Sequence, residues 1–179
     1  HAAFPGAAKE LPPDTGVFQG PRPAYFQADG YNGLADLLAN SARLVIICPD
    51  EIQKSLSAVG SLNLLLGIRE AKGLEFQDIA LVDFFSSLSN LDQRAWKQLL
   101  SDDCLTDMPY LLSQVETQLK LLYTAMTRSC NRLIFIETKR SEAGDAFFRW
   151  LREKQLAEVL VIEGEEEIMT GDELTARGI

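Results

Sequence analysis

Histidine is nearly absent: the one copy is His1, at the first position. That excludes Ser-His-Asp and Cys-His nucleophilic triads and any histidine-based zinc site. Cysteine is sparse too. Cys48, Cys104 and Cys130 lie far apart and form no Cys-x-x-Cys pair. This argues against a disulfide scaffold and for a reducing, intracellular setting, nucleus or cytoplasm. No uninterrupted run of about 18 apolar residues occurs, so no transmembrane helix is expected, and no basic-then-apolar signal pattern opens the chain. It does not begin with methionine and reads as a piece of a longer protein or a processed one. Two phosphate-binding signatures are missing as well. Neither GxxxxGK[ST] nor GxGxxG occurs, so the chain cannot build a complete nucleotide cradle by itself.

What is present is an ordinary globular composition. The 179 residues are 46% hydrophobic, which fits one folded domain with flanks and excludes wholesale disorder. The net charge is −9, unevenly spread. Glu158, Glu163, Glu165, Glu166, Glu167, Asp172 and Glu173 form a run without a basic residue. Without those seven the remainder is −2, a near-neutral body and not a basic glove for nucleic acid. Residues 163–179 read as an acidic, flexible tail.

Residues 1–42 read as a proline- and glycine-rich lead-in with a short helix at Gly33–Asn40, and Val17-Phe18 and Tyr25-Phe26 as anchors on a core. A folded domain is expected over 43–162. Arg43–Cys48, Asn63–Ile68, Ile79–Phe85 and Leu133–Ile136 are short continuous apolar runs, suited to strands buried on both faces. Ala157–Ile162 is a fifth candidate. Val115–Thr127 and Asp145–Leu156 carry apolar residues at helical spacing. Gln93–Asp107 reads as a helix and a polar loop, with Trp96 and Leu99-Leu100 packed. Such alternation predicts an α/β fold, a parallel sheet with helices on both faces.

Three stretches carry candidate chemistry. Asp50-Glu51-Ile52-Gln53 follows an apolar strand and mimics a Mg²⁺-binding Walker B end. With no phosphate loop upstream, Asp50 is read as a helix cap and Glu51 as a first-turn residue. Leu64–Phe76 (LLLGIREAKGLEF) runs from a strand into a loop with Arg69, Glu70 and Lys72. Gly73 permits a sharp turn, and Lys72 and Glu75 are expected at the strand's carboxyl end. Leu121–Arg128 (LLYTAMTR) is a helix ending in Thr127-Arg128 before a core strand. Each has a bland alternative. The loop charges suit solvent, and an arginine at a helix C-terminus gains about 0.3–1 kcal/mol from the dipole alone.

As a pair, Ala71-Lys72-Gly73-Leu74-Glu75-Phe76 and Leu122-Tyr123-Thr124-Ala125-Met126-Thr127-Arg128 resemble motifs V and VI of the UvrD/Rep-type superfamily 1 helicases. Both motifs belong to that family's C-terminal, second RecA-like domain. Phe4-Pro5, Leu11–Pro23, Glu70–Phe76 and Phe84-Phe85 are similar to the helicase region of the TPR-and-ankyrin-repeat-containing protein 1 group. The likeness runs from about residue 4 to about residue 155. It implies a RecA-like sheet lacking its own phosphate loop. It implies that Arg128 is the motif VI arginine reaching a γ-phosphate and that Glu75 lies near the ribose. Lys72 and Gly73 fall in the turn coupling the nucleotide cleft to the nucleic-acid track. ATP and Mg²⁺ are the implied ligands, with the Mg²⁺ carboxylates on an N-terminal RecA-like lobe upstream of His1. The implied partners are that lobe and single-stranded nucleic acid, DNA ahead of RNA, and no membrane. The chain alone is expected to be inactive.

One departure stands out. The family's usual Thr-x-His before motif V is replaced by Gly67 and Arg69. Gly67 offers no hydroxyl, which leaves Arg69 as the candidate strand contact. No aromatic cluster suited to stacking single-stranded bases is visible. An alternative is therefore a degenerate lobe kept as a protein-interaction module. An unrelated α/β binding domain with both motifs coincidental is a third reading.

Overall fold

The computed structural model describes residues 20–28, 30, 34, 43–58, 64–101, 109–159, 161–162 and 168–169. Its strands are β1 (Ala24–Gln27), β2 (Leu44–Cys48), β3 (Leu65–Gly67), β4 (Phe76–Val82), β5 (Ser129–Glu137), β6 (Glu158–Val159), β7 (Val161–Ile162) and β8 (Ile168–Met169). Its helices are α1 (Gln53–Ser57), α2 (Asn90–Leu100), α3 (Pro109–Met126) and α4 (Glu142–Glu153).

β2 is buried at all five positions, as a continuous Leu-Val-Ile-Ile-Cys run requires. It pairs in parallel with β3 and β4. β5 pairs in parallel with β4 and β1, and β6 with β1. The six-stranded sheet has the order β3-β2-β4-β5-β1-β6. Alternate side chains feed two separate clusters. Val45, Ile47, Ile79, Leu81, Leu133 and Phe135 point to one face, where α2, α3 and α4 pack. Leu44, Ile46, Ala80, Val82, Ile134 and Ile136 point to the other, against Leu34 and Leu56 of α1's side. This is the expected α/β, RecA-like parallel arrangement with both faces covered.

The larger cluster is aromatic. Phe85 meets Trp96 edge-on at 5.3 Å and Phe147 at 4.6 Å between ring centres. Ser89 caps α2 reciprocally: its hydroxyl accepts from the Asp92 N–H and donates to the Asp92 carboxylate. Trp96 is 1% exposed, and its indole N–H donates to Gln118 of α3 at 2.5 Å. Leu99 and Leu100 pack partly buried beside it.

Several expectations need correction. The lead-in is not outside the folded unit: Ala24–Gln27, with Tyr25-Phe26, is a strand between β5 and β6. The run Ile79–Phe85 does not end the strand at Phe85. β4 stops at Val82 because Asp83 takes a left-handed φ of 53°, and Phe84-Phe85 leave the sheet for the aromatic core. Ala157–Ile162 splits: β6 joins the main sheet, while β7 pairs antiparallel with β8. That pairing puts Ile168–Met169 of the expected tail into a two-stranded antiparallel pair. The expected anchors Val17-Phe18, all but Leu34 of the helix at Gly33–Asn40, and the polar loop at 102–108 lie outside the described residues.

Candidate functional site

The parallel sheet has two edges, and the candidate residues divide between them. β3 ends at Gly67 on the carboxyl edge, whereas β4 begins at Phe76 on the amino edge. The loop between them must therefore cross the sheet. Arg69 and Glu70 stay near the carboxyl edge. Glu75 arrives at the amino edge, so its expected place at the carboxyl end is corrected by the geometry of parallel strands. Gly73 makes the crossing with φ +86°, and the Leu74 N–H closes the turn on the Ala71 carbonyl at 3.1 Å.

On the amino edge α3 ends at Met126, and Arg128 occupies the turn before β5. The turn is tied down at both ends. The Arg128 N–H donates to the Ala125 carbonyl at 3.1 Å, and the Phe76 N–H donates to the Arg128 carbonyl at 2.8 Å. The side chain is held as firmly. Arg128 Nε donates to the Thr124 carbonyl at 3.0 Å, Nη1 to the Leu74 carbonyl at 3.1 Å and Nη2 to Thr127 Oγ1 at 3.0 Å. The Thr124 carbonyl lies in the last turn of α3, where a cation is favoured, and it also accepts from Thr127 Oγ1 at 3.1 Å. The register of β4 on β5 shifts between Phe76 and Asp78, directly beyond this contact.

The structure thus brings Arg128 against the Leu74–Glu75 backbone, 54 residues away. Glu75 is exposed, and the Cys130 thiol lies 3.9 Å from its carboxylate. Lys72 is exposed, with no side-chain hydrogen bond or ion pair among the described residues. Leu74, whose carbonyl the arginine holds, is 46% exposed, and Tyr123, near the end of α3, is 63% exposed. A guanidinium has five N–H donors, of which three are used here. The remaining two make no hydrogen bond among the described residues. Among the described residues no group of three His, Cys, Asp or Glu side chains is placed to hold a metal ion.

The carboxyl edge at β2 and β3 is different. Asp50 does not cap α1, whose N-cap is Ile52 with no side-chain hydrogen bond. Its carboxylate instead binds Arg69 Nη1 at 2.7 Å. Glu70 accepts from the Gly67 N–H at 2.9 Å and from Gln53 at 2.6 Å. The Gly67 bond first, then Gln53, hold the Glu70 carboxyl below its ordinary value. A Cβ on Gly67 would meet the Asp50 carboxylate, so a side chain there requires Asp50 to move. Behind this cluster, burial, and then Asp50, push the Cys48 thiol up to about 12, which makes it an inert core residue.

Sequence reasoning missed a buried acidic pair at the carboxyl ends of β4 and β5. Asp83 accepts from the Thr138 N–H and hydroxyl at 2.6 and 2.7 Å. Glu137, 2% exposed, accepts from the Phe85 and Ser86 N–H groups at 2.9 and 2.8 Å. Burial nonetheless raises the Glu137 carboxyl to about 7. The pair fastens the turn that carries Phe84-Phe85, and its hydrogen bonds are internal. The only sequence signal was a lone acid at the end of each apolar run.

No protein-family model matches the chain. The human TPR and ankyrin repeat-containing protein 1 is 26% identical over 187 aligned residues, covering 83% of this chain. The chain spans 6% of that protein's length. Among solved structures, the C-terminal domain of a possible DNA helicase from Lactobacillus plantarum WCFS1 aligns with a TM-score of 0.40 and 16% identity. That alignment covers 66% of this chain and 75% of the other. No helix among the described residues is long and apolar enough to cross a membrane.

Proposed function

We propose that this chain is the C-terminal lobe of an ATP-dependent helicase or translocase of the UvrD/Rep type. In this reading its amino edge closes on a nucleotide held by an N-terminal RecA-like lobe. The observation that carries the reading is the fixing of the Arg128 guanidinium on the Leu74 carbonyl at 3.1 Å, which joins the two helicase-like motifs into one site. Bound ATP–Mg²⁺ supplies the phosphoanhydride and the charge neutralisation of phosphoryl transfer, with the Mg²⁺ carboxylates on the other lobe.

Arg128 is the arginine finger in this reading. Its Nε and Nη1 bonds aim the guanidinium before the lobes close, so little side-chain entropy is lost on closure. Its two unspent N–H donors stabilise charge on the γ-phosphate. Such an arginine contributes ~10³–10⁵ in rate, or roughly 4–7 kcal/mol of barrier. That exceeds the dipole benefit of an ordinary C-terminal arginine several-fold. Glu75 accepts a ribose hydroxyl, and Lys72 and Gly73 make the turn that moves with the cleft. Leu74 and Tyr123 are then covered by the partner lobe.

The two roles are separable by steady-state ATP turnover of the native full-length protein. Arg128→Ala lowers kcat while leaving KM within a few-fold, because its contact is made in the transition state. Glu75→Gln raises KM with kcat nearly unchanged. Equal behaviour of both variants and the parent would overturn the reading.

A second reading is that the lobe serves as a protein-interaction module. It is favoured by the carboxyl edge, where Gly67 offers no hydroxyl and Arg69 is occupied by Asp50. Retained binding of protein partners by the Arg128→Ala variant, with no ATP turnover in the parent, would select it.

A further inference from the structure

Charge is unevenly divided over the domain. On the β3-β2-β4 side stand Asp50, Glu51, Glu70 and Asp92, with Arg69 neutralised by Asp50 at 2.7 Å. Beside β1 three arginines surround an open cavity of about 330 Å³: Arg140, from the turn after β5, and Arg149 and Arg152, one turn apart on α4 as it runs back along the sheet. All three are exposed, and none makes a hydrogen bond or ion pair among the described residues. Asp145 is the single acid of the lining, which leaves that lining at +2 on a chain of −9. Tyr25 is part of the lining, its ring stacked on Phe148 with centres 4.6 Å apart and planes 9° from parallel. Gln27 completes it. Its amide N–H donates to the Glu137 carbonyl at 2.8 Å, which fixes the amide and turns its own oxygen free as an acceptor.

Three guanidiniums that repel one another and use none of their donors internally suit an anion with several acceptor oxygens. A half-buried tyrosine ring at the same cavity adds a flat apolar surface, which a base or sugar fills and an inorganic anion does not.

We infer that this cavity, and not Arg69, takes the phosphodiester backbone of a single nucleic-acid strand, with Arg140, Arg149 and Arg152 on phosphates and Tyr25 against a nucleotide. The inference rests on the translocase reading for the identity of its ligand. Its lining shares no residue with the Arg128–Leu74 contact, so strand contact and nucleotide contact use different side chains.

The test is binding of a fluorescein-labelled oligothymidylate to the chain, read by anisotropy across a salt series without ATP. Three phosphate contacts give a log–log salt slope of about −2 for a single strand. A fourfold rise in salt then weakens this component about twentyfold. R140Q/R149Q/R152Q removes that component, whereas the charge-matched K54Q/R94Q/K120Q retains the slope. Asp145→Asn tightens binding by up to about fivefold, a gain that misfolding cannot imitate. An unchanged slope in the pocket variant overturns the inference. So does displacement of the strand by poly-glutamate or orthophosphate at matched charge, which would make the cavity a general anion site. Absence of strand binding by the parent chain also overturns it. The Arg128 reading is left to its own kinetic test, because ATP takes no part in this one.

Discussion

Glu137 sets two physical effects against each other, and pH decides between them. Burial disfavours its charge, while the N–H groups of Phe85 and Ser86 favour it. Burial is the larger cause, and it raises the carboxyl from 4.5 to about 7. Each pH unit of that gap is worth about 1.4 kcal/mol, so the whole is about 3 kcal/mol. The sign follows from linkage. Between pH 4.5 and about 7 the folded chain holds this proton and the unfolded chain does not. Stability from Glu137 is therefore fully present below the unfolded value and is lost as pH rises through the folded one. Glu137→Gln cannot titrate. Its amide also accepts one N–H where the carboxyl accepts two, which costs about 1–3 kcal/mol at every pH. Urea unfolding of both proteins, followed by the fluorescence of buried Trp96, isolates the effect. All other carboxyls titrate in both proteins and cancel. The parent's advantage over the variant shrinks by about 3 kcal/mol from pH 4 to pH 8. An advantage that stays constant, or grows as pH rises, refutes the reasoning and means that the two N–H bonds outweigh burial.

Two further effects are local. Gly73→Ala meets no atom within 4 Å of the new Cβ, so its cost is the left-handed φ alone. Urea unfolding should show a loss of about 1–2 kcal/mol, and a neutral result would contradict the φ of +86°. Asp50→Ala breaks an ion pair whose arginine side chain is 68% exposed. Thermal unfolding should register less than about 1 kcal/mol, and a larger loss would mean that Asp50 holds the β2–β3 edge together in some further way.

The sheet was legible where one segment decided its own fate. Leu44–Cys48 and Leu133–Ile136 are apolar on both faces, and only a doubly covered strand satisfies that. Ala24–Gln27 was not legible. Four residues after a proline-rich stretch form a strand because β5, 110 residues away, supplies its partners. Phe84-Phe85 looked like strand because burial is the same in a strand and in a core-facing turn. What separates them is the left-handed Asp83 and its bonds to Thr138, a contact across 55 residues. The union of Arg128 with Leu74–Glu75 came from resemblance, since no periodicity links them. Its edge was misplaced because a loop between parallel strands has to cross the sheet, a fact of pairing order and not of the loop's own residues. The arginine cavity was hidden for a similar reason. Arg149 and Arg152 are visibly one helical turn apart, but Arg140 and Tyr25 join them only through β1 pairing with β5.

The central claim is that Arg128 acts on the transferring phosphate. Single-turnover release of the γ-phosphate by the native full-length protein tests it most directly, with Arg128→Ala and Arg128→Lys compared against the parent. Alanine should slow release by ~10³ or more with ATP affinity within a few-fold, and added guanidinium should recover part of the rate. Release by the alanine variant within about threefold of the parent would contradict the claim, because Arg128 would then contribute no more than the roughly 0.3–1 kcal/mol of a cation at a helix end.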